Sequence, residues 1–108
     1  MIENLLKNYF KIFSNKDLKG LNELFSDNVI LQDWEIFAKG KKQVLQANQN
    51  IFDSVKSISV TLNELYIDKL VATCLIEVMI NDDEKLKVID IIKFNDDYKI
   101  IQISAYKQ

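Results

Sequence analysis

Apolar residues recur at helical spacing in three segments of the first half of the chain. In the first segment they fall at positions i, i+3, i+4, i+7, i+8 and i+11, with lysine and asparagine opposite. This spacing predicts an amphipathic helix from about Ile2 to Ser14. Asp17 is a suitable N-cap for a second, leucine-bearing helix, which contains Gly20 and so favours close packing against the first. A third apolar stripe predicts a helix over roughly Lys41 to Ser54.

From Lys56 onward the apolar period changes from helical to twofold, which predicts strands. Four runs alternate in this way, separated by acidic or asparagine-rich turns: Lys56–Ile67 with a bulge, Leu70–Ile80, Leu86–Phe94 and Lys99–Tyr106. A shorter strand is predicted at Val29–Trp34, after a turn at 26–28 and before an irregular segment at 35–40. The order of elements predicts an α+β fold, with helices packed on one face of a curved sheet. Its 108 residues fit one domain, 1–108.

One predicted strand carries an acid where an apolar side chain is expected. Asp90 lies on the same face as Val88 and Ile92, because successive side chains of a strand alternate between its two faces. A carboxyl group in an apolar row is either paired or protonated in the interior, or it lines a pocket. Asp33 is a second acid of this kind, in phase with Leu31.

The turns predict the neighbours of Asp90. A tight turn between the last two strands places Asp90 opposite Ile103. A tight turn at Asp82–Asp83 places Leu75 opposite Asp90 and puts Glu77 diagonal to it on the same face. An extra residue in either turn would break these pairings.

The opposite face of the same strands also needs an explanation. With this register it carries Cys74, Ile76, Val78, Ile89 and Ile91. Three helices can cover only one face of the sheet, so a homodimer through the sheet is expected. The alternative is that this surface stays partly exposed around lysine stems.

Composition narrows the function classes. The chain has 14 lysines, no arginine and 16 acids, and it lacks the basic stripe of a nucleic-acid binder. The absence of histidine removes Ser-His and Cys-His nucleophile systems and the usual zinc ligands, and no metal or other cofactor is expected. One cysteine, no apolar run of membrane length and no signal peptide predict a cytoplasmic protein.

Two segments resemble the nuclear transport factor 2-like superfamily, in its SnoaL-like and ketosteroid isomerase-like branch. The first runs from Tyr9 to Phe25, with Ser26–Val29 and Gln32–Asp33 following it. The second is Ile89–Asn95, with Lys99 and Ile100 after it. The resemblance implies three helices in the concave face of a strongly curved, mainly antiparallel sheet, a cone-shaped, cystatin-like α+β barrel. The same scaffold carries isomerases, cyclases, dehydratases and binding proteins, so it identifies activity poorly.

The resemblance also implies roles for three residues. Asp33 matches the general base of ketosteroid isomerase, while Tyr9 and Asp90 match its oxyanion-binding tyrosine and protonated aspartic acid, an arrangement that is an established example of pKa tuning. Such a set serves proton transfer next to a carbonyl, as in isomerisation or cyclisation. The chain departs from the ketosteroid isomerase pattern in two ways. Trp34 and Glu35, not a proline, follow the matched base, and Glu77 would be an unusual neighbour for a protonated acid.

A small apolar or carbonyl-bearing ligand is the expected partner. The residues expected to contact it are Trp34, Phe13, Phe52, Glu77 and Ile103. Two other functions remain open at this point: a non-catalytic ligand-binding protein, and a dimerisation domain. In the second case Asp90 is a structural acid that fixes the first helix on the sheet through Tyr9, and Asp33 is a loop cap.

Overall fold

The computed structural model describes all 108 residues, as three helices and six strands. In chain order they are α1 (Ile2–Ser14), α2 (Leu18–Leu24), β1 (Phe25–Gln32), β2 (Phe37–Lys39), α3 (Lys41–Ser54), β3 (Ile58–Asp68), β4 (Val71–Ile80), β5 (Glu84–Phe94) and β6 (Ile100–Lys107). The predicted bounds of the first and third helices are confirmed.

The first two helices pack closely where the sequence has a glycine. The Asp17 side chain caps α2 by accepting a hydrogen bond from the Gly20 N–H at 3.0 Å. A Cβ atom at Gly20 would lie 2.7 Å from Asp17 Oδ2 and 2.9 Å from Ile12 Cγ2. Only glycine therefore fits beneath α1 while the cap stays in place.

The six strands form one open, curved, mixed sheet in the order β2-β1-β6-β5-β4-β3. β1 and β6 are parallel, and every other pair of neighbours is antiparallel. The predicted α+β class and curved sheet are confirmed, and so is the bulge in β3, which falls between Leu62 and Glu64. Since β2 and β3 remain at the edges, the sheet does not close on itself.

The start of the sheet differs from the prediction. β1 begins at Phe25, so the turn expected at residues 26–28 is wrong, and a register irregularity between Phe25 and Ile30 takes its place. The segment expected to be irregular contains β2, which pairs with the end of β1. Three residues are too few to show a period, so the pattern could not reveal this strand.

The helices cover the concave face of the sheet. Helix α1 lies across β3, and α3 packs against β1. Lys16, just after α1, fixes the end of α3: its ammonium group donates to the carbonyl oxygens of Phe52, Val55 and Lys56 at 2.9, 2.6 and 3.2 Å. The fully buried side chains between the layers are Leu6, Leu21, Phe25, Val29, Val44, Ala72, Cys74, Ile92 and Ile100.

Both predicted hairpin registers are wrong, with different consequences. Asp90 lies opposite Ala105, not Ile103, because residues 95–99 form a longer loop with a bulge beside it. That displacement is two residues, so Ile103 stays on the face of Asp90. In the β4–β5 hairpin Asp90 lies opposite Cys74, not Leu75, since three residues make the turn and two of them, Asn81 and Asp82, have φ of 54° and 61°.

A one-residue shift exchanges the two faces of β4. Cys74, Ile76 and Val78 therefore face the helices, and their predicted place on the outer face is wrong. Glu77 is on the outer face, where it forms an ion pair with Lys85 at 3.4 Å. The half-buried apolar residues that the outer face does carry near its centre are Leu75, Ile89 and Ile91.

Candidate functional site

A cavity of about 350 Å³ lies between the concave face of the sheet and the helices. Most of its lining is apolar, and its volume is within the range of small-molecule sites. The few polar side chains that reach it are therefore the candidates for orienting a ligand. They come from α1, α3, β5, β6 and the loop after β1.

Asp90 projects from the middle of β5 into this cavity. Its side chain is almost completely buried, and its burial, together with the nearby charge of Asp33, raises the pKa of its carboxyl to about 7. No protein group hydrogen-bonds to this carboxyl, whereas every side-chain oxygen that is fully shielded from solvent has a hydrogen-bond partner. The carboxyl group therefore faces the cavity, and below pH 7 it is mostly a neutral hydrogen-bond donor.

Tyr9 reaches the cavity from α1. Its ring packs against Phe10, Phe13 and Phe25, with centroid separations of 5.1, 6.3 and 6.4 Å. Burial, and secondarily the Asp90 charge, raises the pKa of its phenol, so Tyr9 stays a donor at any physiological pH. Its hydroxyl has no protein partner and is not sealed from solvent, so it too opens onto the cavity. No direct hydrogen bond joins Tyr9 to Asp90.

Asp33 lies at the mouth of the cavity, just after β1. One carboxylate oxygen, Oδ1, accepts hydrogen bonds from the backbone N–H groups of Glu35 and Ile36 at 2.7 and 2.6 Å. This local turn accounts for the bend of the loop after β1. The other oxygen, Oδ2, makes no hydrogen bond to the protein, so Asp33 caps the loop with one oxygen and keeps the second free, while the residue lines the cavity.

The residues predicted to contact a ligand are divided between two places. Trp34, Phe13 and Ile103 line the cavity. Phe52 does not; it lies behind Phe13, in edge-on contact at 5.1 Å between ring centroids. The expected cavity position of Glu77 is wrong, because the three-residue turn places that side chain on the outer face.

Sequence reasoning missed one buried polar group of the cavity wall, Asn48 of α3. It is 3% exposed, and its amide nitrogen donates to the Val44 carbonyl oxygen at 2.8 Å. The signal was the one that singled out Asp90: a polar residue in phase with an apolar stripe, here Val44, Ile51 and Phe52. The helical spacing already places Asn48 on this stripe, but spacing alone does not show that the stripe lines a cavity.

The cavity offers little to a metal ion. No group of three or more Cys, Asp or Glu side chains is placed to hold one. Cys74, on β4 beside Asp90, has a pKa raised to about 12 by burial and by the Asp90 charge, so its thiol remains protonated. No helix has the length and hydropathy needed to cross a membrane.

Solved structures define the class to which this fold belongs. The chain is similar to a candidate SnoaL-like polyketide cyclase from Shewanella denitrificans (TM-score 0.87, 9% identity, 99% of this chain and 90% of that one). It is also similar to a candidate ketosteroid isomerase from Kribbella flavida (0.85, 16%, 99% and 77%). A third similar structure is an NTF2-like protein of unknown function from Cytophaga hutchinsonii (0.83, 6%, 100% and 90%). At these identities the likeness establishes an NTF2-like fold.

The family follows from the sequence itself. The family model described as SnoaL-like domain matches residues 2–90, so the chain belongs to the SnoaL-like domain family. A search of functionally described proteins returned no significant match. The resemblance inferred from Tyr9–Phe25 and Ile89–Asn95 is therefore confirmed at the level of superfamily and branch.

Proposed function

We propose that the protein binds a small, mainly apolar carbonyl compound and transfers a proton at the carbon next to the carbonyl. The observation that carries this proposal is that Tyr9, Asp33 and Asp90 all line one cavity. Two are neutral donors at or below neutral pH, and the third offers a carboxylate oxygen. That division of protonation states is what enolisation requires.

In the proposed reaction, Asp33 Oδ2 accepts the proton from the α-carbon and the carbonyl oxygen becomes an enolate oxygen. The hydroxyl of Tyr9 and the protonated carboxyl of Asp90 donate hydrogen bonds to that oxygen as its negative charge develops. Return of the proton to the same carbon gives exchange, and return to a conjugated carbon gives an isomer. Attack of the enolate carbon on a second carbonyl of the same ligand breaks the π bond of that carbonyl, and the resulting alkoxide takes the proton from Asp33 to give a cyclised product.

Exchange is the step that all these outcomes share, so it is the step to measure. We expect the protein to accelerate deuterium incorporation next to the carbonyl of 2-decalone in D2O, followed by mass spectrometry. Asp33→Asn removes the base and should slow exchange by about 10²- to 10⁴-fold. Tyr9→Phe removes one donor and should cost about 10²-fold or more. Glu35→Gln, a neighbouring mouth acid, is the matched control and should leave the rate near that of the wild type.

Two further results separate the roles. Asp90→Asn retains a neutral donor and should keep more of the exchange rate than Asp90→Leu, which has none. The wild-type rate should fall as pH rises through about 7, because ionised Asp90 no longer donates and its charge opposes the enolate. If Asp33→Asn exchanges as fast as the wild type, the base assignment is wrong.

One observation favours a second function, a ligand-binding protein without catalysis. The two backbone hydrogen bonds to Asp33 Oδ1 give that residue a structural role that needs no chemistry. Trp34 is the only tryptophan and lines the cavity, so its fluorescence reports occupancy. Saturable quenching by 2-decalone without any α-exchange would support this second function over the first.

We also propose a homodimer through the outer face of the sheet. The support is the half-buried apolar group Leu75, Ile89 and Ile91, which no helix covers. Ile89→Lys should lower the sedimentation coefficient to that of a monomer. Ile67→Lys, an equally apolar site near the β3 edge and off that group, should not. A monomeric wild type at micromolar concentration would contradict the dimer.

A cytoplasmic location is proposed on the chemistry of the single cysteine. Cys74 is buried as a free thiol and has no partner for an internal disulfide. Fractionation of cells that express the tagged protein tests this: recovery with a cytosolic marker is expected, and recovery outside the cytosol would contradict it.

A further inference from the structure

The cavity has a second polar pole, on the wall opposite the sheet. Asn48 belongs to α3, whereas Asp90 belongs to β5, and both line the same cavity. Most of the other lining residues are apolar, with Ile51 of α3 and Ile103 of β6 among them. A ligand that fills the cavity therefore meets buried polar groups on both the helix wall and the sheet wall.

The orientation of the Asn48 amide is fixed by its own helix. Its nitrogen donates one hydrogen to the Val44 carbonyl oxygen. The amide oxygen could not replace the nitrogen there, because it has no hydrogen to donate. The amide oxygen Oδ1 and the second N–H have no protein partner. Every side-chain oxygen or nitrogen that is fully shielded from solvent has a hydrogen-bond partner. Oδ1 has none, so it is not fully shielded and opens onto the cavity. A side chain that is 3% exposed thus keeps an acceptor for a ligand.

The two free groups of the Asn48 amide indicate which ligand group would bind there. Oδ1 is a hydrogen-bond acceptor, and the second N–H is a donor beside it. A hydroxyl group satisfies both, since it donates to Oδ1 and accepts from the N–H, whereas a carbonyl satisfies only the donor and leaves Oδ1 unpaired in a mostly apolar cavity. A hydrocarbon satisfies neither and leaves both desolvated, which is costly.

We propose that Asn48 is a specificity-determining residue that hydrogen-bonds a hydroxyl group of the ligand. The ligand class is a hydroxyketone or an enolised diketone, with its reacting carbonyl toward Tyr9 and Asp90 and its hydroxyl toward α3. This inference rests on the proposed function for the identity of the carbonyl group. The contact between the hydroxyl and Asn48 is independent of whether the protein catalyses any reaction.

Binding of matched ketones tests the inference directly. The probes are 2-decalone and its ring-hydroxylated positional isomers, with Trp34 quenching as the readout. We expect at least one hydroxydecalone to bind the wild type about 10- to 100-fold more tightly than 2-decalone. In Asn48→Leu, which keeps the branched shape of the side chain and removes the amide, that preference should fall to within about threefold of unity.

Controls separate this contact from other effects. Ile51→Val changes an apolar cavity residue of the same helix and should keep the preference. Asp33→Asn should also keep the preference for the hydroxydecalone, even if it abolishes α-exchange. The binding test therefore stands whether or not the catalytic proposal is correct. Thermal unfolding of Asn48→Leu identifies a folding defect. If that variant does not fold, Asn48→Ala, which removes the amide without adding bulk or charge, should lose the preference in the same way.

Two outcomes would overturn the inference. One is that no hydroxydecalone binds the wild type more tightly than 2-decalone. The other is that the preference persists in Asn48→Leu, which would place the hydroxyl contact elsewhere in the cavity.

Discussion

Replacement of Asp90 by asparagine should stabilise the protein at neutral pH and have little effect in acid. Burial raises the pKa of Asp90 from 3.8 to about 7, so between these values the folded state holds a proton that the unfolded state has released. The free energy of unfolding therefore falls as pH rises through this range, and the loss is complete above the folded pKa. Asparagine resembles the protonated acid in shape and does not titrate.

The size of the effect follows from the same values. At ~1.4 kcal/mol per pKa unit, the wild type loses about 3 kcal/mol between pH 4 and pH 7 through this one group, which is half titrated at pH 7. From pH 5.5 to pH 7 the expected change is about 2 kcal/mol. Asp90→Asn lacks this dependence, so its advantage over the wild type should grow by that amount across the interval.

Urea unfolding followed by Trp34 fluorescence at half-unit pH steps measures the difference. Carboxyl groups far from Asp90 contribute equally to both proteins and cancel when the two curves are subtracted. Asp96→Asn, at an exposed turn, is the matched control and should give a difference that is flat with pH. An equally flat difference for Asp90→Asn would refute the reasoning, because it would mean that Asp90 titrates as an ordinary carboxyl group.

Three other substitutions test separate parts of the structure. Gly20→Ala should lower the melting temperature by displacing the Asp17 cap, with a cost of about 1–3 kcal/mol in the free energy of unfolding; an unchanged melting temperature would contradict the close packing. Lys16→Met removes three hydrogen bonds to backbone carbonyls and should cost about 1–3 kcal/mol in urea unfolding, whereas the same change at exposed Lys19 should cost much less. Glu77→Gln should leave Trp34 quenching by ketones unchanged, and a weakened affinity would place that residue back at the cavity.

The sequence predicted the helices and the long strands because their period repeats over many residues. Ten or more positions of regular spacing define both the element and its buried face, as in α1 and β5. The same logic singled out Asp90 and Asp33, because a polar group that breaks an apolar row is visible without any structure. Tyr9 continues the apolar row of α1, so only the resemblance to the ketosteroid isomerase-like branch pointed to it. β2 has too few residues to show a period, so only the three-dimensional structure reveals its pairing with β1.

The position of Glu77 could not be obtained from the sequence, for a different reason. It depends on whether the turn after β4 has two residues or three, and the left-handed conformations of Asn81 and Asp82 decide this. Asparagine and aspartate adopt such conformations readily, but they are also common in turns of other lengths. One residue of loop length thus exchanged the two faces of β4 and moved three apolar side chains to the cavity side.

The place of β6 in the sheet has a consequence for how the protein folds. β6 lies between β1 and β5, so it joins the β2–β1 pair to the β5–β4–β3 group. Its parallel partner β1 lies near the other end of the sequence, and such distant pairings make folding slow. Until β6 is inserted, the facing edges of β1 and β5 are open to other chains. We therefore expect aggregation during synthesis to depend on how soon this last strand becomes available.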